Sequence, residues 1–424
     1  MTSLTLFLCV LFTFTSQVSS NTHDDVKDLL ADIFTTNSYN KMVRPTADQT
    51  SPLNMFVDLH LVGITDIDEV QEKMTTTASL EVIWVDEYMI WNPVDYNGTS
   101  VIYVSQKDIW KPDIALENGF SKLKELGDDF ILARIYHDGV VEWRPYDVFN
   151  TKCSIDITYF PFDKQTCDIV FGVWMSPLSD VDVELGLEGI VLDAYQSNGE
   201  WELLSTSAKS SESLMEGAIV TFSVTVKRKP EYILFNVVLP IIMMSLLSVF
   251  VFVLPVDCGE KMGYIMTVYL AFAVFLTIVG ESLPVSSTMS LLSVYLIFLL
   301  FLGTAVVMIT ALELRIHYRD NSWKVPMFGK FVVWLSKRLR CKRRTKVSHN
   351  ENTTDLNLSK SDERTNCKDG TSINREFMGP GVSVELTWPD VTSAIDFLAF
   401  WLFLVTDIIA TIVIFAEGYV KSNK

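Results

Sequence analysis

Two hydrophobic periods divide the chain. Before residue 230, apolar and polar positions alternate in short runs such as "NMFVDLHLVGI", "TASLEVIWV", "ILARIYHDGVVEW" and "IVTFSVTVKRK", with turn residues between them. About 200 residues of such strands predict a β-sandwich, immunoglobulin-like and of about ten strands. After residue 230 four unbroken apolar stretches follow, at 233–255, 262–280, 291–312 and 397–416, each near the ~20 residues that a bilayer-spanning helix needs. Residues 325–339, "VPMFGKFVVWLSKRL", carry a helical amphipathic pattern with basic residues on one side, which predicts a helix lying along the inner membrane surface. Residues 347–380 are polar and poor in apolar side chains, the signature of disorder.

Charge orients this arrangement. The net charge of −18 is uneven: most acids fall in residues 21–229, whereas 315–346 is strongly basic and includes "KRLRCKRRTK". Basic residues gather on the cytoplasmic side of membrane spans, so this segment is expected inside and both termini outside, at the plasma membrane. Contact of the basic cluster with nucleic acid is not expected beside a span; acidic lipid is the other partner that such charge suits. Residues 1–20 carry an apolar run and then small polar residues, which predicts a cleaved signal peptide. With no base beyond the amino terminus before the apolar run, an uncleaved anchor is the other reading. The expected divisions are therefore 1–20 signal, 21–230 extracellular sandwich, 231–314 three membrane helices, 315–390 cytoplasmic loop, 391–418 fourth helix and 419–424 extracellular tail. Of six cysteines, Cys153 and Cys167 stand together in the exported part, and a disulfide between them is the economical reading. Asn97, in Asn97-Gly-Thr, is a glycan acceptor if extracellular, whereas the sequons at Asn352 and Asn357 would be idle in the cytosol.

The second apolar stretch carries a carboxylate at each end. Glu260, Gly263, Thr267, Leu270, Val274, Thr277 and Glu281 are spaced by three and four residues alternately and fall on one stripe of a helix. The bulky Tyr264, Ile265, Val268, Tyr269, Phe272 and Phe275 occupy the other faces. Several such helices around an axis would give rings of glutamate at both mouths, which concentrate cations, with Leu270 and Val274 as an apolar constriction able to close by dewetting. An ordinary span whose end acids mark the interfaces fits the same spacing. Periodicity alone leaves both readings standing.

Between Cys153 and Cys167 lie thirteen residues, "SIDITYFPFDKQT", whose "FPFD" resembles the signature loop of the Cys-loop receptors, the pentameric ligand-gated ion channels. The likeness continues through "WNPVDY", "IWKPDI", "FGVW", "NGEW", "GEK" and the four spans, and is strongest to the nicotinic acetylcholine and serotonin-gated cation channels. Anion channels of that family usually carry a Pro-Ala-Arg type sequence where this chain has Gly259-Glu260-Lys261, so the resemblance implies cations. It also implies a pore lined by the stripe with Leu270 at the main gate. Gly263 stands where the family often has a hydroxyl residue.

In the family the ligand sits in an aromatic box between subunits, where ring faces attract an amine cation. By resemblance Trp174 is the central tryptophan of the principal face, and Trp84 the one supplied by the neighbour, each with a core role as the alternative. Glu117 stands where acetylcholine receptors have a box tyrosine, either pairing directly with an amine or simply a surface carboxylate. The capping loop "LLSTSAKSSESLMEGAIVTF" lacks adjacent cysteines and tyrosines, and Leu214 and Met215 take up that region. Arg134, Glu142 and Arg144 replace the apolar or neutral residues common on the complementary face. A mixed lining of Trp84, Glu117, Arg144, Trp174 and Met215 fits an amphiphilic, zwitterionic or otherwise atypical ligand better than acetylcholine. Coupling to the membrane is implied for Glu69, Val70, Phe160, Pro161, Phe162, Arg228 and Pro284, and a buried Arg228 needs Glu69 or another acid as partner. Asp407 lies mid-span in the fourth helix and is expected to find a polar neighbour or to be protonated.

The expected protein is a multi-pass, synaptic, five-subunit cation channel. Its small-molecule agonist is an amine or amphiphile, and it passes sodium and potassium, with calcium open. Identical subunits are the simpler assembly and mixed ones the alternative. No cofactor, metal cluster, nucleophile constellation or phosphate-cradling loop is read from the sequence, so no enzyme is expected. The rival function is a non-conducting accessory or binding subunit that requires partners, motivated by the depleted capping loop.

Overall fold

The computed structural model describes residues 22–213, 217–256, 259–282, 289–320, 324–340 and 386–422. Residues 1–20, expected as a signal peptide, Met215, Pro284, the stretch 347–380 and the Glu281 side chain lie outside the described residues. Two compact units emerge, one of residues Met1–Asp156 and Phe162–Lys229, the other of Ile157–Pro161 and Pro230–Lys424.

The first unit opens with a short helix, α1 (His23–Ala31), started by a capping box between Thr22 and Asp25. Eleven strands follow: β1 Leu53–Asp68, β2 Lys73–Ile90, β3 Val101–Ser105, β4 Ile114–Leu116, β5 Leu132–Tyr136, β6 Asp138–Trp143, β7 Tyr146–Lys152, β8 Lys164–Val173, β9 Val181–Val191, β10 Trp201–Ser213 and β11 Gly217–Arg228. They make a seven-stranded sheet in the order β3-β5-β6-β2-β1-β9, with β7 also paired to β2, and a four-stranded sheet β10-β11-β8-β4. The sequence run 131–143 is thus a hairpin, turning at Gly139 with φ +85; a Cβ there would meet the Asp86 carbonyl at 2.6 Å. Period-2 alternation sets which side chains enter the core. In β2 every even position from Met74 to Asp86 is buried and the odd positions face outward. Phe149, Phe171 and Phe222 meet edge-to-face between the sheets, with centroids 5.1 and 6.3 Å apart. The Cys153–Cys167 disulfide is present.

Among the described residues, the second unit holds four helices long and apolar enough to cross a membrane: α2 Glu231–Val253, α3 Lys261–Ser282, α4 Leu291–His317 and, after a shorter helix α5 (Met327–Arg340), α6 Trp388–Ser422. Within α2, Leu234–Val238 winds as a π-helix immediately before Pro240, whose missing N–H breaks the ordinary ladder. Val249, Val251, Phe252, Ile265, Leu302, Val306, Ala399 and Phe403 form the bundle core, with Phe252 stacked on Phe403 at 5.8 Å. Val332 and Val333 of α5 pack on Trp388, Val391 and Ala394 of α6, while Phe328, Phe331 and Trp334 stay exposed. Both α4 and α6 outrun the sequence reading, by five residues past Leu312 and by nine before Phe397.

Candidate functional site

On α3, Gly263, Thr267, Leu270, Val274 and Thr277 are all exposed in the protomer, as is Glu260 just before the helix, while Ile265, Phe272 and Val279 are buried on the opposite side. Nothing lies within 4 Å of a Cβ built on Gly263, so that position is open. The Thr267 hydroxyl donates to the Gly263 carbonyl at 2.8 Å, and that of Thr277 to the Val274 carbonyl at 2.7 Å. With their protons turned back into the helix, both hydroxyls present lone pairs outward.

The opposite face of α3 is anchored by charge. Lys261 Nζ donates to both oxygens of Glu313 on α4, at 3.0 and 2.9 Å, and to Asp396 of α6 at 2.5 Å. These are the charges at which the hydropathy reading stopped each span, and they are one another's partners. No local sequence signal joins them. Farther along the bundle, Ser245 of α2 donates to Asp407 at 2.8 Å, so the mid-span acid has its polar neighbour.

The two faces assigned to ligand contact differ in outcome. Trp174, 57% exposed, directly follows β8, and its backbone amide donates to the Asp113 carbonyl at 3.1 Å. The Asp113 carboxylate accepts from the Met175 amide at 2.7 Å and the Ser176 hydroxyl at 3.1 Å, which fixes that loop. The Glu117 carboxylate is folded over Gly172, two residues before Trp174: a Cβ on Gly172 would come within 2.0 Å of Glu117 Oε1. Trp84 does not line a surface. It is 1% exposed and meets Trp110 edge-to-face at 5.9 Å, because even positions of β2 point inward. Its placement in the ligand box is therefore corrected to a core role, and Ser79, Glu81 and Ile83 occupy the outward phase.

That outward phase builds a charged lattice that the sequence reading saw only in part. Glu81 Oε2 lies 3.0 Å from His60 Nε2 on β1, and Glu81 Oε1 accepts from Arg144 Nε at 2.8 Å. Arg144 Nε also lies 2.7 Å from Glu142 Oε1, while Glu142 Oε2 accepts from Arg134 Nη1 at 3.1 Å and from the Tyr136 hydroxyl at 3.2 Å. The Arg134 guanidinium stands 5.7 Å from the Tyr103 ring centroid, a cation–π distance. Burial raises the cost of ionising Glu81, but hydrogen bonds from His60 and Arg144 outweigh it and hold its pKa below the ordinary range. The signal that would have found Glu81 and His60 is strand phase: with Trp84 inward, position 81 must face out, beside position 60 of the adjoining strand.

At the β1–β2 turn, Val70 is exposed and Glu69 reaches Arg228. Arg228 is buried, and its Nε and Nη2 bond the two oxygens of Asp163 at 2.9 and 3.2 Å, with the guanidinium 4.2 Å from the Trp201 ring centroid. Burial works against the Arg228 charge, but Asp163 and Glu69 keep its pKa raised. The required acid is thus a pair, and Asp163 supplies the fork-to-fork geometry. Phe160 and Phe162 are buried, as is Pro161. Within the second unit, the Thr158 carbonyl accepts from the Leu291 amide at 3.0 Å. Asn97 is exposed at the end of a short 3-10 turn, with Nδ2 3.3 Å from Asp25 Oδ2.

Residues 26–230 match the family model described as the neurotransmitter-gated ion-channel ligand binding domain, and residues 237–383 that of the neurotransmitter-gated ion-channel transmembrane region. Similar proteins include the neuronal acetylcholine receptor subunit beta-3 of Gallus gallus, 28% identical over 98% of each chain. The subunit alpha-6 of Rattus norvegicus is 32% identical over 66% of this chain and 58% of its own. For the subunit alpha-3 of Bos taurus the figures are 32%, 74% and 65%.

Proposed function

The chain belongs to the neurotransmitter-gated ion-channel family, and from that premise we propose that it forms a five-subunit cation pore lined by α3 and opened by an extracellular ligand held between sandwiches. Family membership makes it a nicotinic-like ligand-gated channel subunit and not an enzyme.

One observation supports the pore reading: the stripe that holds Gly263, Thr267 and Thr277, together with Leu270 and Val274, is exposed on α3, and Ile265, Phe272 and Val279 on the opposite side are buried in the bundle. A helix that only crossed lipid would turn its bulky residues outward, since the bilayer gives no reason to expose threonine and glycine. Leu270 and Val274 are the proposed gate, and a ring of Glu260 the proposed cation filter at the inner mouth. Ligand binding would shift a closed–open equilibrium through the Arg228–Asp163–Glu69 cluster. Identical subunits at the plasma membrane, both termini outside, are the assembly we propose. The relatives' names say acetylcholine; a complementary face of arginine and glutamate in place of an aromatic wall supports a different ligand here.

The rival reading is an accessory subunit, supported by the short capping hairpin in which Ser213 pairs with Gly217. Expression of the chain alone separates the two. Currents whose reversal tracks sodium and potassium, with cation preference weakened by Glu260→Ala, are the expected result. A homomer that reaches the surface and stays silent even with Leu270→Ser favours the accessory reading, and reversal that tracks chloride refutes the cation filter.

A further inference from the structure

The lattice on the outer face of the seven-stranded sheet can donate hydrogen bonds but can hardly accept them. Three of the four oxygens of Glu81 and Glu142 are hydrogen-bonded, by His60, Arg144, Arg134 and Tyr136, and the fourth, Glu142 Oε1, lies 2.7 Å from Arg144 Nε as an ion pair. The carboxylates also lie beneath, 13% and 10% exposed, while the Arg144 and Arg134 side chains above them are 49% and 42% exposed. Arg144 uses Nε and Nη2 on Glu81, and among the described residues its Nη1 has no hydrogen-bond partner. Arg134 holds Glu142 and Tyr136 through Nη1, and its guanidinium also pairs with Tyr103. An ammonium approaching this face meets two guanidinium edges and carboxylates already ion-paired beneath them. A carboxylate meets spare, planar donors held in place from behind, the geometry in which arginine binds such a group in two places.

We propose that this face recognises an anionic group of the ligand, a carboxylate, through Arg144 and Arg134, and that Glu81 and Glu142 act as positioning residues that hold the guanidinium edges outward. This rests on the reading of the chain as an interfacially gated channel. On the other proposed face, Trp174 and Glu117 suit an ammonium, so the ligand class is a small zwitterion with separated charges. In register terms the lattice is built, since Tyr103 opposes Arg134, Arg134 opposes Glu142 and His60 opposes Ser79, one step from Glu81. Five strands each place a residue on one face.

The test compares glycine betaine with choline, which share a quaternary ammonium and differ by carboxylate against alcohol. Both are applied to the intact channel, with calorimetric binding to the purified protein and current in cells as readouts. The carboxylate member is expected to bind more tightly, and Arg144→Gln to weaken it about tenfold, as expected where a charge-assisted pair is lost, while choline moves less than about twofold. Arg144→Lys should restore only part of the loss, because an ammonium cannot bind in two places. Equal or tighter choline binding overturns the proposal, and so does the absence of betaine binding to folded wild type. Loss of assembly in Arg144→Gln with unchanged betaine affinity would give the guanidinium edge to a neighbouring subunit's carboxylate, which also overturns it. The channel reading is scored apart, by the current of Leu270→Ser without any ligand: current there with no charge preference sinks this inference alone.

Discussion

Lys261→Met removes a cation that three helices share. The side chains of Lys261 and Glu313 are both 0% exposed, and Asp396 closes the third corner at 2.5 Å. Without the ammonium, two carboxylates remain in a low-dielectric pocket whose other wall is Phe252, its ring centroid now 5.9 Å from Nζ. Breaking a buried pair by removing one partner costs about 3–5 kcal/mol, because the remaining charge keeps its desolvation penalty and loses its attraction. At about 1.4 kcal/mol per decade, that is a drop of two to three and a half decades in the folded-to-unfolded ratio. The assay is thermal unfolding of the detergent-purified channel, with surface abundance in cells as the second measure. Unfolding of two units is not two-state, so the ranking of midpoints is the readout. Lys261→Met is expected far below wild type, and Lys261→Met with Glu313→Leu and Asp396→Leu well above the single variant, since apolar residues of similar volume avoid the penalty. A single variant as stable as wild type, or a triple no better than the single, would refute the argument.

Arg228→Met should cost on the order of 3 kcal/mol of stability and so lower the unfolding midpoint, since it strands Asp163 and Glu69; adding Asp163→Asn should recover part of the loss, and additive losses would count against the pairing. Trp84→Ala should cost about 3–5 kcal/mol of stability and surface abundance but leave agonist potency per surface channel unchanged, while Trp174→Ala should do the reverse; a potency shift specific to Trp84→Ala would restore it to the ligand box. Burial pushes the Asp86 carboxyl up from 3.8 to about 6, with the Tyr39 hydroxyl and Tyr88 amide pulling the other way. A carboxyl whose folded pKa is raised stabilises in its protonated form, so this contribution is complete below about pH 4 and is lost as pH rises to about 6, on the order of 3 kcal/mol in all. Unfolding midpoints of wild type minus Asp86→Asn should therefore fall between pH 4 and 6 and then level, and a flat difference would reject the assignment.

Local pattern was enough for much of this protein. Alternation in 77–85 and 219–228 reads as strand and is strand, and four apolar runs read as spans and are four long helices. The three-and-four spacing from Glu260 to Thr277 placed the small and hydroxylated residues on one side of α3, because a helix turns by a fixed angle per residue whatever surrounds it. Phase is where local reading stops. A strand alternates, but only the second sheet decides which alternate set is covered, so Trp84 went inward and Glu81 outward, and the arginine and glutamate lattice followed. The ends of the spans were decided in the same way. Lys261, Glu313 and Asp396 each look like the edge of a hydrophobic segment when read singly. Folding brings Lys261 to partners 52 and 135 positions away, and once paired the three charges belong inside the helices. Hydropathy counts each residue against solvent, whereas a buried charge is set by its neighbours in space, and those only the tertiary structure supplies.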